Sequence, residues 1–309
     1  MKKVPCGVWP VMLTAFNDNG AIDWGGVEAL VEWYIEAGVA GLFTVCLSSE
    51  MYHLNPQERL DLAARVVKRA AGRLPVVAAG AFGESLAQQS EMAKRLADIG
   101  VTAVVLTVNQ LADENEPDAA WQTNAAAFCD ACGDIPLGLY ECPAPYHRTL
   151  SPESLVWTAR TGRFVFLKDT CCRRDAIEAK LEAVRGTSLR WFNANCPTLL
   201  TSLQAGGDGY CGIAANFFPE LYVWLCRHAA AYPGVAQRLQ HFLSVADMAV
   251  RHKYPTSAKV FLARGGLPIQ PHGRAGNSCL TEEELLVLDH LHAAAKEMVE
   301  ELPQFGEAV

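Results

Sequence analysis

Short apolar runs alternate with helical patterns along most of this chain, and that alternation restricts its fold more than any other feature. The runs cover residues 8–13, 40–46, 75–80, 103–108, 136–140, 164–168, 189–193 and 209–213. Each is a few residues long and mostly apolar, the pattern of strands buried on both faces of a parallel sheet. Between them lie segments 27–37, 57–71, 85–99 and 151–159, whose apolar residues recur at helical spacing. Asp23, Asn55-Pro56 and Ser151-Pro152-Glu153 mark helix starts. Eight strand–helix units in about 220 residues predict an α/β fold, a (β/α)8 TIM barrel rather than a doubly wound sheet.

The strand signal stops near residue 225, and helical patterns follow at 235–250, 257–263 and 282–300. The expectation is a barrel over 1–225 with a C-terminal helical extension over 226–309. No low-complexity linker separates the two, so they are expected to pack as one folding unit.

Composition excludes several classes of function. Of 309 residues, 50% are apolar and 19% charged, enough for one large core. A net charge of -8 supplies no basic footprint for nucleic acid or an anionic membrane. The opening Met1-Lys2-Lys3 and the apolar stretch after it are interrupted by Pro5 and Pro10, which favours a first strand over a signal peptide. A cytoplasmic protein is expected. Eleven cysteines are scattered without zinc spacing, and only His53 and His147 of eight histidines fall on active-face loops, so no metal is expected. Cys129 and Cys132, like the vicinal Cys171 and Cys172, are read as free of chemistry.

Lys168 closes the run 164–168, where desolvation favours a neutral amine and makes it a candidate nucleophile toward a carbonyl carbon. Tyr140 ends the run 136–140 just before a proline-rich turn. By count these residues close strands six and five, which lie roughly 5 Å apart in a barrel, so a phenol and an amine are expected to converge in one mouth. Glu141 and Asp169 each follow one of the pair and alternate to the opposite face. A buried Glu141 then needs a partner, and Asp169 is expected to play a structural part rather than activate the lysine.

The chain resembles the dihydrodipicolinate synthase and N-acetylneuraminate lyase family, the pyruvate-dependent class I aldolases. The residues that carry the resemblance are 7–16, Tyr140-Glu141-Cys142-Pro143, Lys168-Asp169-Thr170, Gly206-Gly207-Asp208-Gly209 with Asn216, and Pro255-Thr256-Ser257-Ala258-Lys259. It implies that Lys168 forms an imine with an α-keto acid and that Tyr140 moves protons, with no cofactor. It implies further that Ser48 and Ser49, in the stretch Cys46-Leu47-Ser48-Ser49-Glu50, hold the keto-acid carboxylate, and that the backbone carbonyl near Cys211 contacts the reacting hydroxyl. A homo-oligomer, tetramer or dimer, is also implied.

Three departures qualify that picture. Leu47 replaces a threonine of the carboxylate loop. Ala112 stands where the synthases donate a tyrosine across a subunit interface, leaving Tyr52 or His53 as substitutes. Pro145 stands where they hold the second substrate with an arginine, leaving Arg148 or His147. The expected function is a cofactor-independent lyase or aldolase acting on pyruvate or a related keto acid, by aldol condensation, retro-aldol cleavage or dehydration of a sugar-derived keto acid. The alternatives are a true dihydrodipicolinate synthase with a replaced proton relay and a non-catalytic keto-acid binding protein.

Overall fold

The computed structural model describes residues 4–276 and 278–303. Met1, Lys2 and Lys3 of the opening stretch and the last six residues of the expected extension lie outside the described residues.

Eight parallel strands form one curled sheet: β1 Gly7–Val8, β2 Leu42–Thr44, β3 Val76–Ala79, β4 Ala103–Thr107, β5 Leu137–Tyr140, β6 Phe164–Asp169, β7 Arg190–Asn193 and β8 Gly209–Tyr210. Their order is β1-β8-β7-β6-β5-β4-β3-β2. A parallel bridge between Val11 and Phe43 joins the first segment to β2 and closes the barrel. The first run is broken as a strand because Pro10 has no N–H to give, so only Gly7 and Val8 pair regularly while Met12 N–H reaches the Phe43 carbonyl at 2.8 Å.

Helices α1 Trp24–Glu36, α2 Pro56–Ala70, α3 Leu86–Ile99, α4 Asp118–Cys132, α5 Pro152–Arg160, α6 Arg174–Val184, α7 Leu199–Gln204 and α8 Pro219–His228 follow the strands in turn. Three of them begin where the sequence placed a cap: the side chains of Asp23, Asn55 and Ser151 accept from the backbone N–H groups of Gly26, Glu58 and Ser154. The extension is α9 Pro233–Arg251, α10 Thr256–Arg264 and α11 Glu282–Glu301. The division expected at residue 225 falls inside α8, so barrel and extension share a helix.

The extension is tied to the barrel by buried polar and aromatic contacts. Gln240 on α9 accepts from Leu200 N–H and donates to the Cys196 carbonyl, both at 2.9 Å. Phe261 on α10 packs on Phe217 with ring centres 5.1 Å apart.

Aromatic rings fill the barrel interior. Phe166 stacks on Phe192 at 4.9 Å and meets Trp9 and Phe43 edge-on at 5.3 and 5.9 Å. All four are fully buried, and each contributes about 2–3 kcal/mol of burial free energy. Room for the Trp9 indole depends on Gly41, where a Cβ would sit 2.4 Å from the ring. At Gly209 the backbone has φ +148° and a Cβ would stand 1.9 Å from the Gly7 carbonyl oxygen, so only glycine lets β1 and β8 close. Tyr140 caps this column, its ring 5.8 Å from Phe43.

Candidate active site

β5 and β6 pair with Tyr140 opposite Lys168. The register turns both side chains to the same side, and the Lys168 Nζ lies 4.2 Å from the centre of the Tyr140 ring. Lys168 is 4% exposed and Tyr140 3%. Among the described residues no carboxylate is in ion-pair range of this ammonium. Burial holds the Tyr140 phenol well above its ordinary value, with the thiols of Cys142, Cys46 and Cys211 adding to the effect, so the hydroxyl carries its proton through the neutral range.

The two groups line a cavity of about 360 Å³ at the C-terminal ends of the strands. Leu47 and Ser48 after β2, Pro143 after β5, Thr170 and Cys172 after β6, Asn195 after β7 and Gly212 after β8 form much of its wall. The extension supplies the rest, with Asp247, Arg251, Tyr254 and Pro255. In this fold such loops at the strand ends carry the chemistry.

The carboxylate loop divides the two serines. Ser48 lines the cavity. Ser49 does not: its Oγ donates to the Met12 carbonyl at 2.7 Å and accepts from Cys46 N–H at 3.1 Å, which stitches the loop to the first segment. The expectation that Ser49 offers its hydroxyl to substrate is therefore corrected. Glu50 follows in the left-handed region at φ 59° and receives the buried Lys259 ammonium at 2.7 Å and the Ala275 N–H at 2.7 Å. This pair anchors the loop to α10.

Arg148 is also corrected. It is 7% exposed and its guanidinium is consumed by the carbonyls of Asp113 and Glu116 at 2.7 and 2.8 Å and by Asp118 at 3.0 Å. It braces the loop before α4, away from the cavity. His147 meets Thr170 at 2.8 Å without lining the cavity. Cys211 is buried, its N–H donating to the Asn193 carbonyl, and Gly212 and Ile213 just beyond it line the cavity. Tyr52 donates to the Ala144 carbonyl at 3.0 Å and packs on Phe82, and neither it nor His53 lines the cavity. Ala112 is buried, its carbonyl receiving the Tyr146 hydroxyl at 2.6 Å.

The phenol that does reach the cavity comes from the extension. Tyr254 lies between α9 and α10; its hydroxyl accepts from Asn216 Nδ2 at 2.7 Å, and Asn216 in turn accepts from Tyr34 at 2.5 Å. Burial raises the Tyr254 phenol, while a hydrogen bond with Ser48 pulls it the other way. The sequence carried one signal for it, its position directly before the Pro255-Thr256-Ser257 motif.

Behind Lys168 and Tyr140 sits a charge cluster. Lys180 on α6 bonds Glu141 Oε1 and Asp169 Oδ2, both at 2.6 Å, with all three side chains 3% exposed or less. Glu141 also accepts from Leu150 N–H at 2.8 Å and Thr170 N–H at 3.0 Å. Two carboxylates share one ammonium, so one negative charge stays uncompensated. Burial and then the Asp169 charge push the Glu141 carboxyl up to about 7, against the pull of Lys180. Burial alone would lower Lys180, but the two carboxylates overcome it and hold its proton more tightly. Lys180 was legible in retrospect: it occupies the inward stripe of α6 with Ile177, Leu181 and Val184.

Comparison with known proteins adds an independent line. The model of the dihydrodipicolinate synthetase family matches residues 5–296. The 4-hydroxy-tetrahydrodipicolinate synthase of Shewanella sp. (strain ANA-3) is 26% identical over 220 residues, covering 71% of this chain and 73% of that protein. Its counterpart in Marinobacter nauticus is 26% identical over 262 residues, 84% of each chain. Among solved structures, the dihydrodipicolinate synthase of Thermotoga maritima superimposes with a TM-score of 0.84 at 21% identity, covering 95% of this chain and 99% of that one. A prophage protein of E. coli K12, solved in complex with pyruvate, gives 0.84 at 22% identity, covering 94% and 98%. At such identities the superpositions speak for the fold.

Proposed function

The chain belongs to the dihydrodipicolinate synthetase family, and from that premise we propose that Lys168 and Tyr140 carry out its pyruvate-dependent aldolase or lyase chemistry. The Lys168 amine adds to the C2 carbonyl of an α-keto acid, water leaves, and a protonated imine forms. That imine accepts the electron pair released when the neighbouring C–C bond breaks or a C3 proton departs, giving an enamine. Tyr140 delivers and takes back the protons these steps move, its phenol held protonated at the start by burial. Ser48 meets the keto-acid carboxylate, with the Tyr254 hydroxyl beside it.

One observation carries this reading: a buried lysine, with no carboxylate partner among the described residues, lies against a buried phenol inside a cavity. The substrate is a sugar-derived keto acid that is cleaved or dehydrated, or a keto acid paired with an aldehyde other than that of lysine biosynthesis. Pro145 and Ala112 at the positions that serve the synthases, and Arg148 committed to Asp118, support that choice. The chain is further proposed to assemble as a homo-oligomer.

A panel of keto acids, alone and with aldehydes, read by pyruvate release or consumption, tests the proposal. Turnover of at least one pair is expected, with Tyr140→Phe lowering kcat by about 10²–10⁴. Saturable keto-acid binding without turnover across the panel would favour a binding protein instead.

A further inference from the structure

The position that holds the second substrate in the synthases is a proline here, yet the cavity does contain a guanidinium. Arg251, the last residue of α9, lines it together with Asp247 and Asn195. Its Nε donates to Asp247 Oδ2 at 2.6 Å and its Nη2 to Asn195 Oδ1 at 3.3 Å. Both contacts lie along the Nε–Nη2 edge of the group. A guanidinium has five N–H donors in a rigid plane, so Nη1 and one hydrogen of Nη2 have no acceptor among the described residues. Asp247 is 4% exposed, whereas the Arg251 side chain is 52% exposed, so the bound edge faces protein and the free edge faces open space.

We infer that Arg251, preset by Asp247 and Asn195, is the residue that selects the far end of the substrate, and that it selects a carboxylate. The substrate is then an α-keto acid, or the keto acid formed on condensation, with a second carboxylate at the end away from Lys168. Charge decides between anions. Asp247 already neutralises the guanidinium, so a phosphate dianion would bring two charges beside a buried carboxylate. A singly charged carboxylate matches the two parallel donors among the three that remain. Volume agrees: about 360 Å³ is room for roughly a dozen waters, well beyond what pyruvate occupies. The apolar wall of Leu47, Pro143 and Ile213 offers nothing to the middle of the chain and leaves Lys168 and Arg251 as the cationic anchors.

This inference rests on the imine reading above, and its test separates the two. Borohydride is used to trap adducts on Lys168 with pyruvate, with 2-oxoadipate and with 2-oxohexanoate. The last two differ only in a terminal carboxylate against a methyl group. Wild-type protein is expected to reach half-maximal trapping with 2-oxoadipate at about one-tenth of the 2-oxohexanoate concentration. Arg251→Gln should remove that advantage. Arg251→Lys, which keeps a partner for the buried Asp247, should lose most of it because a point charge replaces the fork. Equal trapping of the two acids by the wild type overturns the assignment, as does a preference that survives intact in either variant. Absence of any pyruvate adduct would instead defeat the imine reading.

Discussion

At the scale of single residues, the account depends on where charges can and cannot go. Among the described residues Lys168 has no acid in ion-pair range, while Lys180, one layer back, has two. That difference separates a group available for reaction from one locked into structure. It also makes Glu141 a reporter of pH. Its carboxyl lies near 7 in the fold against an ordinary value of 4.5, so protonation favours the folded state. The stability it contributes is complete below about 4.5 and is lost as pH rises through about 7. The stability of wild type minus that of Glu141→Gln, read from urea midpoints, should therefore fall by on the order of 2–3 kcal/mol between pH 5 and pH 8. A difference that stays flat or rises over that range would show that Glu141 is not held in this state.

At the scale of elements, the pair proposed to react is positioned by strand register and held from behind by a helix. Lys180 joins the ends of β5 and β6 through Glu141 and Asp169, so α6 acts as a clamp on the two strands that present Tyr140 and Lys168. Lys180→Met leaves two buried carboxylates facing each other and should cost about 3–5 kcal/mol in denaturant unfolding. A loss under 1 kcal/mol would mean the cluster relaxes into solvent. The same elements show what a sequence can and cannot reveal. Strand ends at Tyr140 and Lys168 were legible because apolar runs stop there, and the helix caps because Asp23, Asn55 and Ser151 precede apolar periodicity. The expectation that Glu141 and Asp169 face away from their neighbours followed from strand alternation, and the structure agrees. The fate of Ser49 and Arg148 was not legible. Each has the right chemistry near the right loop, but its partners are backbone carbonyls brought in from Met12, Asp113 and Glu116, and carbonyl positions leave no mark on residue identity.

At the scale of the whole molecule, the extension is part of the site rather than an appendage. α9 and the segment after it bring Asp247, Arg251 and Tyr254 to a cavity whose other walls are strand ends. No helix among the described residues is long and apolar enough to cross a membrane. The outer face of α9 carries two apolar side chains in water, Val245 76% and Met248 75% exposed, beside Gln237, Arg238 and His241. A second copy covering this face fits the proposed homo-oligomer. Replacing both by Asp should shift sedimentation velocity toward smaller species, whereas a wild-type protein that already sediments as a monomer would contradict it.

The most direct test is mass spectrometry of the protein reduced with borohydride in the presence of pyruvate, followed by peptide mapping. One covalent adduct on Lys168, absent without pyruvate and absent from a folded Lys168→Ala variant that has also lost turnover, is the predicted result. An unmodified protein, an adduct mapped to Lys180 or Lys259 in place of Lys168, or normal turnover by Lys168→Ala would contradict the account.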